Sequence, residues 1–250
     1  MSSNETRSTD YQAIYREQAA AYDDLIAAED AAGAVSAFLG QTLDTSKIEI
    51  SSALDVGAGT GRLARFLHHL RPGLALTCTD AAEPMLVELA RRWPTSGAAS
   101  APRTIVADYR ALPLCDASYD LVVAGWALGH LTGFHPDTWP TESDRALSEL
   151  ERVARPGASI VLFETLGTGY EQPTPPRPEL GALYERFEAR GYQRTVLRTD
   201  YRFANRADAE RLVGFFFGQK LWPRLVEDTA DGSGGATTLI EWTGAWRLTR

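Results

Sequence analysis

Asp55, Gly57, Gly59 and Gly61 fall within one short run, ALDVGAGTGRLARFL, and further along the chain stand the carboxylates Asp80 and Asp108 and the histidines His130 and His135. Glycines lack a Cβ, so a ligand can approach their backbone closely, and a helix that starts just behind them offers unpaired N–H groups. The run around Ala58 therefore suits the cradling of a nucleotide or cofactor. A carboxylate about 20 residues after such a turn can accept both hydroxyls of a ribose, and Asp80 has that spacing. The dinucleotide fingerprint G-x-G-x-x-G opens in the same way, but here the pattern is G-x-G-x-G and the sixth position holds Arg62. Histidine is the side chain that takes up a proton near neutrality, which makes His130 and His135 candidates for catalysis, with Glu164 a third.

These residues have to be positioned by elements that the hydrophobic pattern foretells. Leu54 to Val56 reads as the end of a buried strand, and Leu63, Phe66, Leu67 and Leu70 recur at helical spacing behind the glycines. Pro72 and Gly73 stop that helix, and LALTCTD returns as a second strand ending at Asp80, which completes a βαβ unit. A helix from Pro84 to Arg92, a loop over Thr95 to Pro102 and a third strand ending in Asp108 and Tyr109 follow. A fourth strand runs from Tyr119 towards Gly125 and Trp126. Thr141 and Asp144 are spaced like a capping box, the helix they open should stop at Arg155 before Pro156 and Gly157, and ASIVLFE makes a fifth strand. Thr165 to Pro178 reads as irregular. Helix Glu179 to Arg190, strand Gln193 to Phe203, helix Arg206 to about Leu221 and strand Thr237 to Leu248, preceded by a turn at Gly232 to Gly235, finish the chain. Ahead of the core, a leader over 1–9 precedes a helix capped by Thr9 or Asp10 and a second helix from about Asp30 to Leu43. Strands alternating with helices indicate an α/β, doubly wound, Rossmann-like sheet, mostly parallel, with helices on both faces and an N-terminal helical cap.

The glycine run, with Asp55 two places before Gly57, resembles motif I of the class I S-adenosylmethionine-dependent methyltransferases. YDLVVAGWALGHL resembles motif IV of that family, and the helix, R-P-G turn and strand at 141–164 resemble the end of its core. The resemblance implies a seven-stranded sheet of order 3-2-1-4-5-7-6 with the last strand antiparallel. It implies S-adenosyl-L-methionine as cofactor, held by Asp55, Gly57, Ala58, Gly59 and Gly61, by Asp80 and Ala81 at the ribose, by Met85, Asp108 and Tyr109 at the adenine, and by Gly125 and Trp126 at the methionine part. Ala20, Ala21, Tyr22 and Asp23 look like the family's A-x-x-Y-D helix that closes over the cofactor, which adds Tyr22. In-line transfer of a methyl group to a small-molecule acceptor is the implied reaction. Motif IV does not read Asp/Asn-Pro-Pro-Tyr or Phe, which argues against an exocyclic amino group of a nucleic-acid base as acceptor.

Composition bounds the alternatives. The 250 residues carry a formal net charge of −8, against a broad phosphate-binding face, and no apolar run approaches the roughly 18 residues of a membrane span. The expectation is a cytoplasmic monomer or homodimer, with residues 10–250 forming one domain: a cap over 10–46, a cofactor core over 47–165 and an acceptor-side portion over 166–250. Cys78 and Cys115 have no metal-ligand spacing, so no metal is expected and both read as buried thiols. Two competing readings are a nicotinamide-dependent oxidoreductase and a protein that binds the cofactor without methylating. Trp126, Phe134, Trp139 and Tyr170 hint at an apolar or aromatic acceptor.

Overall fold

The computed structural model describes residues 18–94, 101–228 and 235–250. The leader, the start of the first helix, most of the loop after Trp93 and most of the Gly232 to Gly235 turn lie outside the described residues. In chain order, α1 (Ala19–Ile26) and α2 (Ala34–Asp44) precede β1 (Ser52–Val56), α3 (Arg62–Leu70), β2 (Ala75–Asp80), α4 (Glu83–Arg92), β3 (Arg103–Val106) and β4 (Tyr119–Gly125). A 3-10 turn at Leu128–His130, α5 (Leu131–Phe134) and α6 (Trp139–Val153) lead into β5 (Ala154–Thr168), α7 (Pro178–Ala189) and β6 (Gln193–Arg198). Then come β7 (Tyr201–Phe203), α8 (Arg206–Phe216), a 3-10 turn at Gln219–Arg224, β8 (Val226–Glu227), β9 (Thr237–Leu239) and β10 (Glu241–Thr249).

The main sheet has the order β3-β2-β1-β4-β5-β10-β6, which is the expected seven-stranded arrangement. β10 runs antiparallel to both β5 and β6, and the remaining pairs are parallel. Strand side chains alternate between faces. Ala53, Leu121 and Val123 pack under α2, α3 and α4 with Val35, Leu39, Leu67 and Leu89, while Leu54, Val56 and Val122 pack under α6 and α7 with Leu150, Leu183 and Phe187. Both faces are therefore covered, and the strands read as near-continuous apolar runs.

Several expectations about the elements are corrected. α6 begins at Trp139, and its Thr138 cap makes no side-chain cap bond, so Thr141 lies inside the helix and there is no capping box. The helix ends at Val153 and β5 starts at Ala154, so Pro156 and Gly157 lie within the strand. Gly157 has φ +85°, and the β4–β5 register shifts between Tyr119 and Leu121, so the strand accommodates the pair as an irregularity. β5 continues to Thr168 because β10 supplies an antiparallel partner there, Glu241 against Thr168, and only the remainder of the Pro-rich stretch is irregular.

The last two expected strands are each divided. The chain leaves the main sheet at Thr199–Asp200 and at Ile240, so that β7, β9 and β8 form a separate three-stranded sheet. Gly218, at φ +79°, ends the regular helix near Phe216 rather than Leu221. The small sheet, α8 and α1 share a third apolar cluster around Leu25, Tyr201, Phe203, Leu212 and Leu239. Cys78 is buried as expected, but Cys115 is exposed.

Candidate functional site

A cavity of about 1080 Å³ opens beyond the carboxyl ends of β1, β2 and β4, where the strand order reverses. Such a position is where open α/β sheets bind ligands. Of the residues singled out in the sequence, Tyr22, Asp55, Gly57, Ala58, Gly59, Asp80, Ala81, Met85, Asp108, Tyr109, Gly125, Trp126, His130, His135 and Glu164 all line it. Gly61 does not. It has φ +87°, and a Cβ there would come within 2.6 Å of Leu89 Cγ, so this glycine sets the start of α3 and the contact of the turn with α4.

The turn itself is held by two carboxylates. Asp80 Oδ2 accepts from Gly59 N at 2.8 Å and Oδ1 accepts from Ala82 N at 2.8 Å, which ties the glycine turn to the start of α4. Each oxygen keeps lone-pair capacity for a ligand hydroxyl. Burial raises the Asp80 pKa against the pull of the Ala82 and Gly59 amides. Asp55 Oδ2 accepts from Ala64 N at 3.0 Å, while its Oδ1 is buried with no hydrogen-bond partner among the described residues. Burial pushes the Asp55 pKa up to about 7. Gly57 has φ +66°, and a Cβ there would fall 2.6 Å from Ala127 Cβ. An orphaned carboxylate oxygen beside a backbone cradle that tolerates no side chain fits a cofactor with a donor group at that point.

Asp108, two residues past β3, is turned to a residue that the sequence reading passed over. Arg110 Nε and Nη2 grip its carboxylate at 2.5 to 3.0 Å, and Arg110 Nη1 reaches Glu142 at 2.9 Å and His135 Nε2 at 2.8 Å. The Arg110 bonds, ahead of the cost of burial, hold the Asp108 carboxyl below its usual range. A guanidinium only donates, so His135 Nε2 accepts there and its lone pair is already engaged. His130 lies on the turn after β4, stacked on Phe134 with ring centroids 5.4 Å apart. Burial, and then the charge of Arg177, lower its pKa to about 4, which keeps the imidazole neutral. Glu164 Oε1 accepts from Gly129 N at 2.8 Å and so braces the turn that carries His130; burial raises its pKa to about 7. Trp126 sits at φ +53°, a region few non-glycine residues occupy, and its ring stacks on Phe163.

The N-terminal helix closes one side. Asp23 is 3% exposed, accepts from the Thr60 hydroxyl, and pairs with Arg65 at 3.0 Å and Arg92 at 2.8 Å. It is a tether beneath the cavity, and Tyr22, Leu25 and Ile26 of the same helix line it. On the far side of the glycine turn from Asp80 and Asp108, the lining comes from Glu29, Arg62, Tyr201 and Glu241 with Phe216 and Phe217. Arg62 Nη1 pairs with Glu29 Oε2 at 2.7 Å, and its guanidinium lies 4.3 Å from the Trp126 ring. No local pattern announces this group: Glu29 and Glu241 are separated by most of the chain and meet only because β10 inserts between β5 and β6. Among the described residues, no group of three or more His, Cys, Asp or Glu is arranged to hold a metal ion, and no helix is long and apolar enough to cross a membrane.

Residues 54–162 match a family model described as a methyltransferase domain. The chain is 31% identical over 131 residues to demethylmenaquinone methyltransferase of Thermus thermophilus, covering 52% of this chain and 51% of that protein. It is 32% identical over 119 residues to malonyl-[acyl-carrier protein] O-methyltransferase of Pseudescherichia vulneris, covering 48% of this chain and 40% of that protein. The chain thus spans about half or less of the length of these curated relatives. Among solved structures, the YcgJ protein of Bacillus subtilis superposes with a TM-score of 0.54 over 85% of this chain and 97% of its own, at 15% identity, which is a likeness of fold.

Proposed function

We propose that residues 54–162, which match a methyltransferase domain, place the protein in the class I S-adenosylmethionine-dependent methyltransferase family, and that it transfers a methyl group to a small-molecule acceptor. The observation that carries the reading is the glycine turn with its two carboxylates, Asp80 fixed by Gly59 and Ala82 and Asp55 left with an unpaired oxygen. In this reading Asp80 holds ribose hydroxyls, Met85, Asp108 and Tyr109 flank the base, and Asp55, Gly57, Ala58, Gly125 and Trp126 border the methionine part. S-adenosylmethionine supplies, when bound, a methyl group activated by its sulfonium centre.

The chain's own contribution is placement. In-line displacement needs donor carbon and acceptor atom about 3 to 3.5 Å apart and aligned, with water excluded, and alignment of this kind can supply most of the rate enhancement. Tyr22 on α1 and Phe216 on α8, with ring centroids 5.5 Å apart, close one wall together with Phe217. His130 is neutral and faces the cavity, so it can accept a proton from a hydroxyl acceptor, though with its low pKa it is a weak base. His135, with Nε2 occupied by Arg110, helps to hold the guanidinium that grips Asp108 instead.

The test is a thermal-unfolding titration with S-adenosylhomocysteine and, in parallel, with NAD and NADP. A ligand at about 100 times its Kd stabilises the native state by roughly 2.7 kcal/mol, which is readily seen. Stabilisation by S-adenosylhomocysteine alone is the expected outcome. Stabilisation by a nicotinamide cofactor alone would overturn the reading.

A further inference from the structure

The end of the cavity away from Asp80 contains more buried carboxyl groups than buried cations to pair with them. Glu241, the first residue of β10, is 2% exposed and Glu29 is 8% exposed, and both line the cavity. The cation set against them is Arg62, which is paired with Glu29 and stacked on Trp126. Of the other basic residues lining the cavity, Arg110 belongs to the Asp108 network, and Arg177 and Lys220 are exposed. Glu241 Oε1 accepts from the Thr165 hydroxyl at 2.7 Å, whereas Oε2 is buried and has no hydrogen-bond partner among the described residues. Burial and the Glu29 carboxyl push the Glu241 pKa up to about 8, against the pull of Thr168, Thr165 and Arg62.

A carboxyl kept in such a place without a counter-charge costs stability unless a ligand brings the charge. The walls around it have the matching chemistry. Tyr201, Phe216 and Phe217 line the same cavity, and aromatic faces attract cations most strongly where water is excluded. We propose that the acceptor is an aromatic or apolar small molecule bearing a protonated amine, whose ammonium is received by Glu241. Arg62 Nη2, also buried without a hydrogen-bond partner, has its charge cancelled by Glu29 and calls for a neutral oxygen elsewhere on the same molecule. Assigning this end to the acceptor rests on the methyl-transfer reading, but the preference for a cation rests only on the residues themselves.

The experiment measures binding by calorimetry, with and without saturating S-adenosylhomocysteine, for two pairs of probes matched in shape and opposite in charge: tryptamine against indole-3-propionate, and phenethylamine against 3-phenylpropionate. The expected result is that the amines bind and the carboxylates bind more weakly. Glu241→Gln, which keeps an oxygen for Thr165, should weaken amine binding by roughly 30-fold or more, the usual cost of removing one partner of a buried charge pair. It should leave the affinity for S-adenosylhomocysteine unchanged. Amines that do not bind, carboxylates that bind as well as amines, or an amine preference that survives Glu241→Gln would each overturn the proposal. Failure of S-adenosylhomocysteine to bind would overturn the methyl-transfer reading instead, and the arm without it would still report on Glu241.

Discussion

Asp80 performs two tasks with one carboxylate, holding the glycine turn to α4 and presenting its remaining lone pairs to the cavity. Its substitutions should separate the two. Asp80→Ala leaves the Gly59 and Ala82 amides without an acceptor and removes the ribose partner, so S-adenosylhomocysteine affinity should fall by tenfold or more, since hydrogen bonds to a charged group contribute about 1.5–3 kcal/mol each. Asp80→Asn keeps one acceptor oxygen and should lose less; calorimetry on the pair checks the order. Gly61 acts through the backbone alone. Gly61→Ala combines a left-handed φ with a Cβ driven against Leu89, and about 1–3 kcal/mol of lost stability is expected in denaturant unfolding.

At the scale of elements, α1 is short and depends on what it is tied to, because eight residues alone make a marginal helix. Asp23 links it to Thr60 in the glycine turn, to Arg65 on α3 and to Arg92 on α4, and Leu25 plugs it into the apolar cluster of the small sheet. Asp23→Ala would remove the partner that Thr60, Arg65 and Arg92 share and free the helix to leave. Amide exchange across Ala19–Ile26 should then accelerate at least tenfold while the β1, β4 and β5 amides stay protected, and S-adenosylhomocysteine binding should weaken because Tyr22 is no longer held over the cavity. Unchanged exchange in that segment would show that the apolar contacts of Leu25 and Ile26 suffice.

For the whole molecule, the cavity sets the pH dependence of stability. Asp55 and Glu164 have pKa values raised to about 7 and Glu241 to about 8, each with burial as the largest cause. A raised folded-state pKa contributes stability that is complete below the unfolded value near 4 and is lost as pH rises through 7 to 8. His130 has the opposite sign: lowered to about 4, its contribution is complete above about 6.5 and is lost as pH falls through 4. Three raised carboxyls outweigh one lowered histidine at every pH above about 4.5, so the ligand-free protein should lose stability as pH rises and still be weakening between about pH 6.5 and 8.5. A loss of about 2 kcal/mol over that range would lower Tm by roughly 4–8 °C for a chain of this size. A Tm that rises steadily from pH 6 to 8.5 would contradict this account.

Much of the cofactor side was legible in the residues, because the information is local. A strand, a glycine turn and a helix start occupy a dozen consecutive positions, and Asp80 and Asp108 follow at strand ends that hydrophobic periodicity locates within two residues. The sheet order came by resemblance and agrees with the structure; the helix and strand boundaries at Thr141, Pro156, Thr165 and Leu221 did not, since pairing partners and packing overrode local signals. The other end of the cavity was not legible. Glu29, Arg62, Tyr201 and Glu241 have no common spacing, and the two long strands read at Gln193 to Phe203 and Thr237 to Leu248 gave no sign of breaking at Thr199 and Ile240 into separate sheets. Those breaks bring Tyr201 and Glu241 over the cavity and carry Phe216 and Phe217 with them. Sequence by itself thus determined the cradle, whose contacts run between near neighbours and strand ends. Tertiary structure alone decided which charges meet opposite it, because their burial depends on strands paired across more than 70 residues.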